Sequence, residues 1–268
     1  MIYNAKNNII DVDDTTVNYI SFGSGEKNLI IIPGLGDGLK TVKGLAIPFS
    51  IMYKMFAKDY KVYVFSRKNE LEDDYNTIDM ANDIKNILDK INIDKASVVG
   101  VSQGGMIAQY MAINYPELVE KLVLVVTLSK QNKIVNERVN KWINYAKEGN
   151  YKDLFIDTME NSYQEETLNK YRKMYPILTK VGKPKDFNRF LIEAKACLTH
   201  NAYRKLSKIK CPTLIIGGKK DKIVGVDASY EMHEKIKKSE LYIYDDYGHG
   251  VYEEAKDFNK IVYDFLIK

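Results

Sequence analysis

The sequence predicts an α/β protein with a mostly parallel, doubly wound sheet and an inserted set of helices. Three observations lead there. Short apolar runs rich in β-branched residues recur along the chain, as in strands buried on both faces of a parallel sheet. Segments of helical length lie between them, with apolar residues spaced three and four apart, which implies right-handed βαβ crossovers. One long interval, Thr127 to Lys205, breaks the alternation.

Taken in order, Thr16 to Phe22 alternates with period two and stops at Gly23-Ser24-Gly25, the pattern of a hairpin strand and its turn. Buried strands are then predicted at Leu29 to Ile32, Val62 to Phe65, Ala96 to Val99, Leu122 to Val126, Thr213 to Ile216 and Leu241 to Tyr244. The clearest helix is Thr77 to Lys90, where Ile78, Ala81, Ile84, Ile87 and Leu88 mark one face. Met106 to Asn114, Asp227 to Lys237 and Asp257 to Leu266 follow the same rule. The 79 residues from 127 to 205 are too many for a structureless connection and show Tyr, Lys, Glu and Leu/Ile at helical spacings. They read as a helical cap, so that residues 1–126 and 206–268 form the core domain. Ordinary helices flanking the sheet are the alternative.

Composition narrows the function. With 268 residues, 45% of them hydrophobic, the chain has material for one large core, and its size also allows two small domains. A net charge of +4 is spread through interleaved clusters, and five of the 40 basic residues are arginine, so a nucleic-acid surface is not expected. The N-terminal residues have no cationic segment followed by a long apolar one, and no stretch approaches the roughly 18 apolar residues of a span. A cytoplasmic protein without a membrane partner is the expectation. Cys197 and Cys211 are neither a C-x-x-C pair nor part of a His/Cys cluster, which leaves no metal site to predict.

The segment Gly100-Val101-Ser102-Gln103-Gly104 carries the most information, because G-x-S-x-G falls between a buried strand and a helix. By chance the pentapeptide should occur in roughly one chain in ten of this length. Its context makes it specific. A serine there sits on a tight turn at the carboxyl edge of the sheet, its side chain projecting alone at the positive end of the helix. A hydroxyl attacks only when a base takes its proton and a carboxylate orients that base.

Of three histidines, His233 belongs to a charged helix surface, His200 lies near the end of the interval, and His249 follows the last buried strand in Gly248-His249-Gly250. Active sites of open α/β sheets gather at such carboxyl-edge loops, which makes His249 the candidate base. Asp221, in the loop after the strand at Thr213, is the candidate acid; Asp227, just ahead of a helix, fits an N-cap better. The glycine-rich loop Pro33-Gly34-Leu35-Gly36 lacks the Lys-Ser/Thr of a phosphate loop. Its catalytic reading places the backbone N–H groups of Leu35 and Gln103 around an oxyanion.

With these pieces in the order Ser102, Asp221, His249, the sequence resembles the α/β-hydrolase superfamily, in particular its capped bacterial branch of small serine esterases and lactonases. The resemblance spans nearly the whole chain, including Tyr115-Pro116-Glu117-Leu118-Val119 and Pro212 to Asp221; the interval from 127 to 205 has no recognisable signature. It implies a Ser102 nucleophile, an Asp221 acid, a His249 base, a Leu35/Gln103 oxyanion hole, and no cofactor or metal. Pro33-Gly34 stands where many relatives have His-Gly, a change that touches a supporting hydrogen bond. Serine at position 102 disfavours the dehalogenase and epoxide-hydrolase relatives, which use aspartate. The implied activity is cleavage of a small carboxylic ester through an acyl-enzyme, with a thioesterase or C–C bond hydrolase as alternatives on the same triad. A non-catalytic small-ligand receptor and a cofactor-free haloperoxidase are the rivals from other classes.

Overall fold

The computed structural model describes residues 2–268. Eight strands form one sheet in the order β1-β2-β4-β3-β5-β6-β7-β8. The first two, β1 (Lys6–Val12) and β2 (Thr15–Phe22), are antiparallel to each other, and β2 is antiparallel to β4 (Tyr60–Lys68). From β4 onward all neighbours are parallel: β3 (Lys27–Ile32), β5 (Ala96–Val101), β6 (Val119–Val125), β7 (Thr213–Gly218) and β8 (Ser239–Tyr244). The hairpin predicted at Thr16 exists, but its turn is Asp13-Asp14 and its partner is the preceding β1. Gly23 to Gly25 instead leads the chain across to β3.

Eleven α-helices are described. Between β3 and β4 lies α1 (Ala46–Met52), followed between β4 and β5 by α2 (Thr77–Lys90) and after β5 by α3 (Gln103–Asn114). The start of α2 is set by a capping box: Asn76 accepts from the amides of Ile78 and Asp79 while Asp79 accepts from the Asn76 amide. Between β6 and β7 the chain builds α4 (Lys133–Lys147), α5 (Tyr151–Ser162), α6 (Glu165–Tyr171), α7 (Tyr175–Val181) and α8 (Asn188–Thr199). Asn132 and Asn150 start the first two of these by capping Val135 and Asp153. The chain closes with α9 (Asp227–Lys235), the short α10 (Val251–Glu254) and α11 (Phe258–Ile267).

Period-two alternation divides the core into two faces. Ile30, Ile32, Val98, Leu122, Leu124 and Ile215 meet α2, α3 and α9, whereas Leu29, Ile31, Val99, Val123, Val125 and Ile216 meet α1, α10 and α11. A third apolar cluster, containing Trp142, Leu154 and Phe190, joins α4, α5 and α8 to Met106, Leu128 and Ile223 of the sheet side. Strand order reverses at β3, which lies between β4 and β5. The loops leaving β3 and β5 therefore part company there and open a crevice at the carboxyl ends of the strands.

Candidate active site

Ser102 occupies the turn between β5 and α3 with φ +53° and ψ −118°, a conformation that costs a non-glycine residue of order 1–3 kcal/mol. The surroundings hold it there. Its amide donates to Val125 O at 2.9 Å, and its carbonyl accepts from Thr127 Oγ1 at 2.7 Å. Close approach requires glycine beside it: a Cβ on Gly104 would lie 1.9 Å from Ile32 O, and one on Gly100 would lie 2.4 Å from Gly104 O. Ser102 Oγ makes no hydrogen bond among the described residues, and its side chain lines the cavity beneath the helices of the insertion.

The loops after β7 and β8 bring Asp221 and His249 together, with His249 Nδ1 2.8 Å from Asp221 Oδ2. The other oxygen of Asp221 accepts from the amides of Ile223 (2.8 Å) and Val224 (3.0 Å), so the carboxylate is fixed on both sides and buried. The loops are tied by Lys220 N donating to Tyr247 O, and a Cβ on Gly218 would lie 2.4 Å from Gly248 O. In the tautomer that directs Nδ1–H at the carboxylate, Nε2 of His249 carries the free lone pair. His249 borders the same cavity as Ser102.

Leu35 opens a 3-10 turn (Leu35–Gly38) directly after β3, and Gln103 is the first residue of α3. Both amides sit at the starts of helical turns, where N–H groups lack internal partners. Gly34 places this loop against the serine, since its Cβ would fall 3.8 Å from Ser102 Oγ. The remaining candidates lie elsewhere. His233 is exposed on α9 and bonds Ser239; buried His200 contacts Thr77 Oγ1 and Gln109 Oε1, its basicity lowered to about 3 by desolvation. Asp227 is the first residue of α9 and makes no capping bond, because Val226 already has helical backbone angles; the N-cap reading of Asp227 is thus corrected.

A buried polar network behind the serine escaped the sequence reading. The Gln103 side chain accepts from Arg67 Nη2 at 2.8 Å and donates to Glu193 O at 2.8 Å and Cys197 Sγ at 3.2 Å. Arg67 Nη2 also donates to Pro33 O at 2.6 Å, while Asp37 Oδ2 accepts from Arg67 N and from Arg189 Nη2. Glu193 lies 3.3 Å from Arg189 and 3.8 Å from Arg67. Neither of its carboxyl oxygens has a hydrogen bond, and desolvation pushes its pKa up to about 8. The network joins the loop after β3, strand β4, the start of α3 and helix α8. An aspartate inside a glycine loop was its one sequence signal, and its partners lie 30 or more positions away.

The cavity measures about 330 Å³ and its lining is largely apolar, with Leu35, Phe49, Trp142, Leu154 and Phe190 among the walls. No group of three or more His, Cys, Asp or Glu among the described residues could hold a metal ion, and no described helix is long and apolar enough to cross a membrane.

Comparison with known proteins identifies the fold family. A family model for the alpha/beta hydrolase fold matches residues 27–256. The chain is 24% identical to 2-hydroxy-6-oxononadienedioate/2-hydroxy-6-oxononatrienedioate hydrolase 1 of Pseudomonas putida, across 94% of this chain and 92% of the relative. It is 23% identical to 2-hydroxy-6-oxo-6-phenylhexa-2,4-dienoate hydrolase of Comamonas testosteroni, across 96% and 93%. Among solved structures, an alpha/beta hydrolase enzyme from a Medee basin deep-sea metagenome library superposes with a TM-score of 0.86 at 23% identity, covering 97% of this chain and 98% of the other. The enol-lactonase of Burkholderia xenovorans superposes with a TM-score of 0.84 at 18% identity, covering 97% and 100%. A family match over most of the length, on a sheet whose order reverses beside the serine turn, establishes that the chain belongs to the alpha/beta hydrolase fold family.

Proposed function

We propose that the protein is a serine hydrolase acting on a small carboxylic ester through an acyl-enzyme. The observation that carries the reading is the 2.8 Å His249–Asp221 contact, together with the strained Ser102 on the same cavity. Ser102 Oγ attacks the carbonyl carbon as His249 Nε2 takes its proton, and Asp221 steadies the imidazolium. The oxygen that gains charge meets the amides of Leu35 and Gln103, whose positions are set before the substrate arrives. His249 then gives the proton to the departing alcohol, and a water molecule repeats the sequence to release the acid. Residues 127–205 act in this reading as the cap that closes the cavity. A fluorophosphonate probe tests it: stoichiometric labelling at Ser102 and hydrolysis of a short p-nitrophenyl ester are expected, and binding without labelling indicates a receptor instead.

The curated relatives raise a second reading, C–C bond hydrolysis, because their names specify dienoate and dienedioate substrates. Charge in the cavity favours the ester over a dienedioate. Apart from His249 and three tyrosines, the ionisable lining of the cavity consists of Lys40, Glu253 and Asp37, whose carboxylate accepts from the Arg67 amide and the Arg189 guanidinium. A substrate with two carboxylates would meet one ammonium and a fixed carboxylate. Rates on 2-hydroxy-6-oxo-6-phenylhexa-2,4-dienoate and on p-nitrophenyl acetate, measured side by side, decide between the two.

A further inference from the structure

Glu253 does nothing in the mechanism above, yet it lines the same cavity as Ser102 and His249, one turn of α10 beyond the histidine. Its neighbours are phenols and a second carboxylate. Tyr163 donates to it at 2.7 Å from the end of α5, and Tyr252 lies beside it. Burial, and after it the charge of Glu253, raises the pKa of the Tyr53 and Tyr252 hydroxyls. These three tyrosines also line the cavity, with Phe49 and Met52 next to them. No lysine or arginine nitrogen lies within 4 Å of the carboxylate among the described residues. Glu253 is solvent-exposed at the rim of this largely apolar cavity, a carboxylate with tyrosines beside it and, among the described residues, no cationic nitrogen in contact.

We infer that Glu253, Tyr53, Tyr163 and Tyr252 form a subsite for an alkylammonium group, so that the preferred ester carries a quaternary or protonated amine on one limb. The reading rests on the cavity being the substrate site. Ring faces attract a cation through their quadrupoles, most strongly where water is displaced, and the carboxylate supplies the opposite charge. A neutral limb of equal shape would have the same apolar contacts and neither attraction.

Binding tests this without turnover. Choline and its uncharged isostere 3,3-dimethylbutan-1-ol are titrated calorimetrically into Ser102→Ala protein, with the expectation that choline binds at least about tenfold more tightly. Equal or weaker binding of choline overturns the subsite, and this comparison does not require a variant at Glu253. In Glu253→Gln, whose amide oxygen can still accept from Tyr163, the ratio should fall to near one; a folded variant that keeps the full ratio also overturns the assignment. Kinetics add a separate readout on wild-type protein. Acetylcholine is compared with 3,3-dimethylbutyl acetate, and ethyl 4-(trimethylammonio)butanoate with ethyl 5,5-dimethylhexanoate, which places the charge on the alcohol limb and then on the acyl limb. A kcat/KM advantage for the cation in one pair supports the subsite. Hydrolysis of the neutral esters with no advantage in either pair defeats it while leaving the esterase reading intact; choline binding without hydrolysis of any ester defeats the esterase reading alone.

Discussion

At Ser102 a strained backbone and a half-buried hydroxyl without a hydrogen bond coincide, and their consequences can be separated. The strain belongs to the turn, and alanine at this position keeps it. Ser102→Ala is therefore expected to abolish ester hydrolysis while circular dichroism and melting temperature stay close to wild type; retention of more than a few per cent of activity in pure protein would remove Ser102 as nucleophile. The two aspartates offer a matched comparison. Asp221 holds His249 Nδ1, whereas Asp227 starts α9 without a capping bond. Asp221→Asn should lower kcat steeply, an effect that reaches about 10⁴-fold in a serine protease triad. Asp227→Asn should change it little, and the reverse result would transfer the acid's role. Ser102, Asp221 and His249 were legible as candidates because each stands in a short local pattern after a strand of the parallel sheet. Glu193 and Arg67 were not, since a glutamate in an amphipathic helix and an arginine after an apolar strand look like surface residues until α8 docks on β4.

Elements were readable where their pattern met their burial. The limits of α2 coincide with its apolar spacing, and strands β3 to β7 announced themselves as apolar runs because both faces are covered. Leu241 to Tyr244, predicted as a buried strand, instead forms the edge strand β8, with Leu241 and Ile243 half-buried and Tyr242 exposed. The misses have a common cause. Strand β1 is an edge strand with exposed Lys6, Asn7 and Ile9, so no apolar alternation marks it. Helix α1 is seven residues long and leaves Ile47 and Ile51 exposed, which erases its amphipathic signal. Docking of α8 has a pH signature of its own. Glu193 titrates near 4.5 when unfolded and at about 8 when buried, so between those values the folded state holds a proton that the unfolded chain has lost. Its stabilising contribution is present below the lower value and is lost as pH rises through the upper one. Melting temperatures of wild type and Glu193→Gln from pH 5 to 9 should diverge, with wild type losing more; parallel curves would show that Glu193 is ionised in the fold. Arg67→Met should be worse than Glu193→Gln, costing about 3–5 kcal/mol by leaving Gln103 Oε1, Pro33 O and the nearby Glu193 without the buried guanidinium.

Across the whole molecule, the cavity lies where two apolar clusters meet, one on the sheet face that carries α1 and α11 and one formed by α4, α5 and α8. Of the aromatic and aliphatic anchors visible in the sequence of the insertion, Trp142, Leu154 and Phe190 reach the cavity wall, and Tyr145, Phe187 and Leu191 support them from behind. Phe155 instead packs between Tyr151 and Tyr175 within the insertion. A volume of about 330 Å³ lies at the lower end of the roughly 300–1,000 Å³ usual for ligand cavities, and its walls are rigid aromatic and branched side chains. Long acyl chains would need the insertion to lift. Outside, α7 and the turn before it expose Met174, Ile177 and Val181 along one strip, whereas Lys170, Arg172, Lys173 and Lys180 surround it with charge. Three side chains fall short of the contiguous patch of several hundred Å² that marks an interface-seeking surface. Initial rates on p-nitrophenyl esters from acetate to palmitate should therefore saturate hyperbolically, with kcat/KM highest for short chains. A jump in rate where the substrate aggregates, with long chains preferred, would mean that the strip on α7 engages lipid and that the insertion opens as a lid.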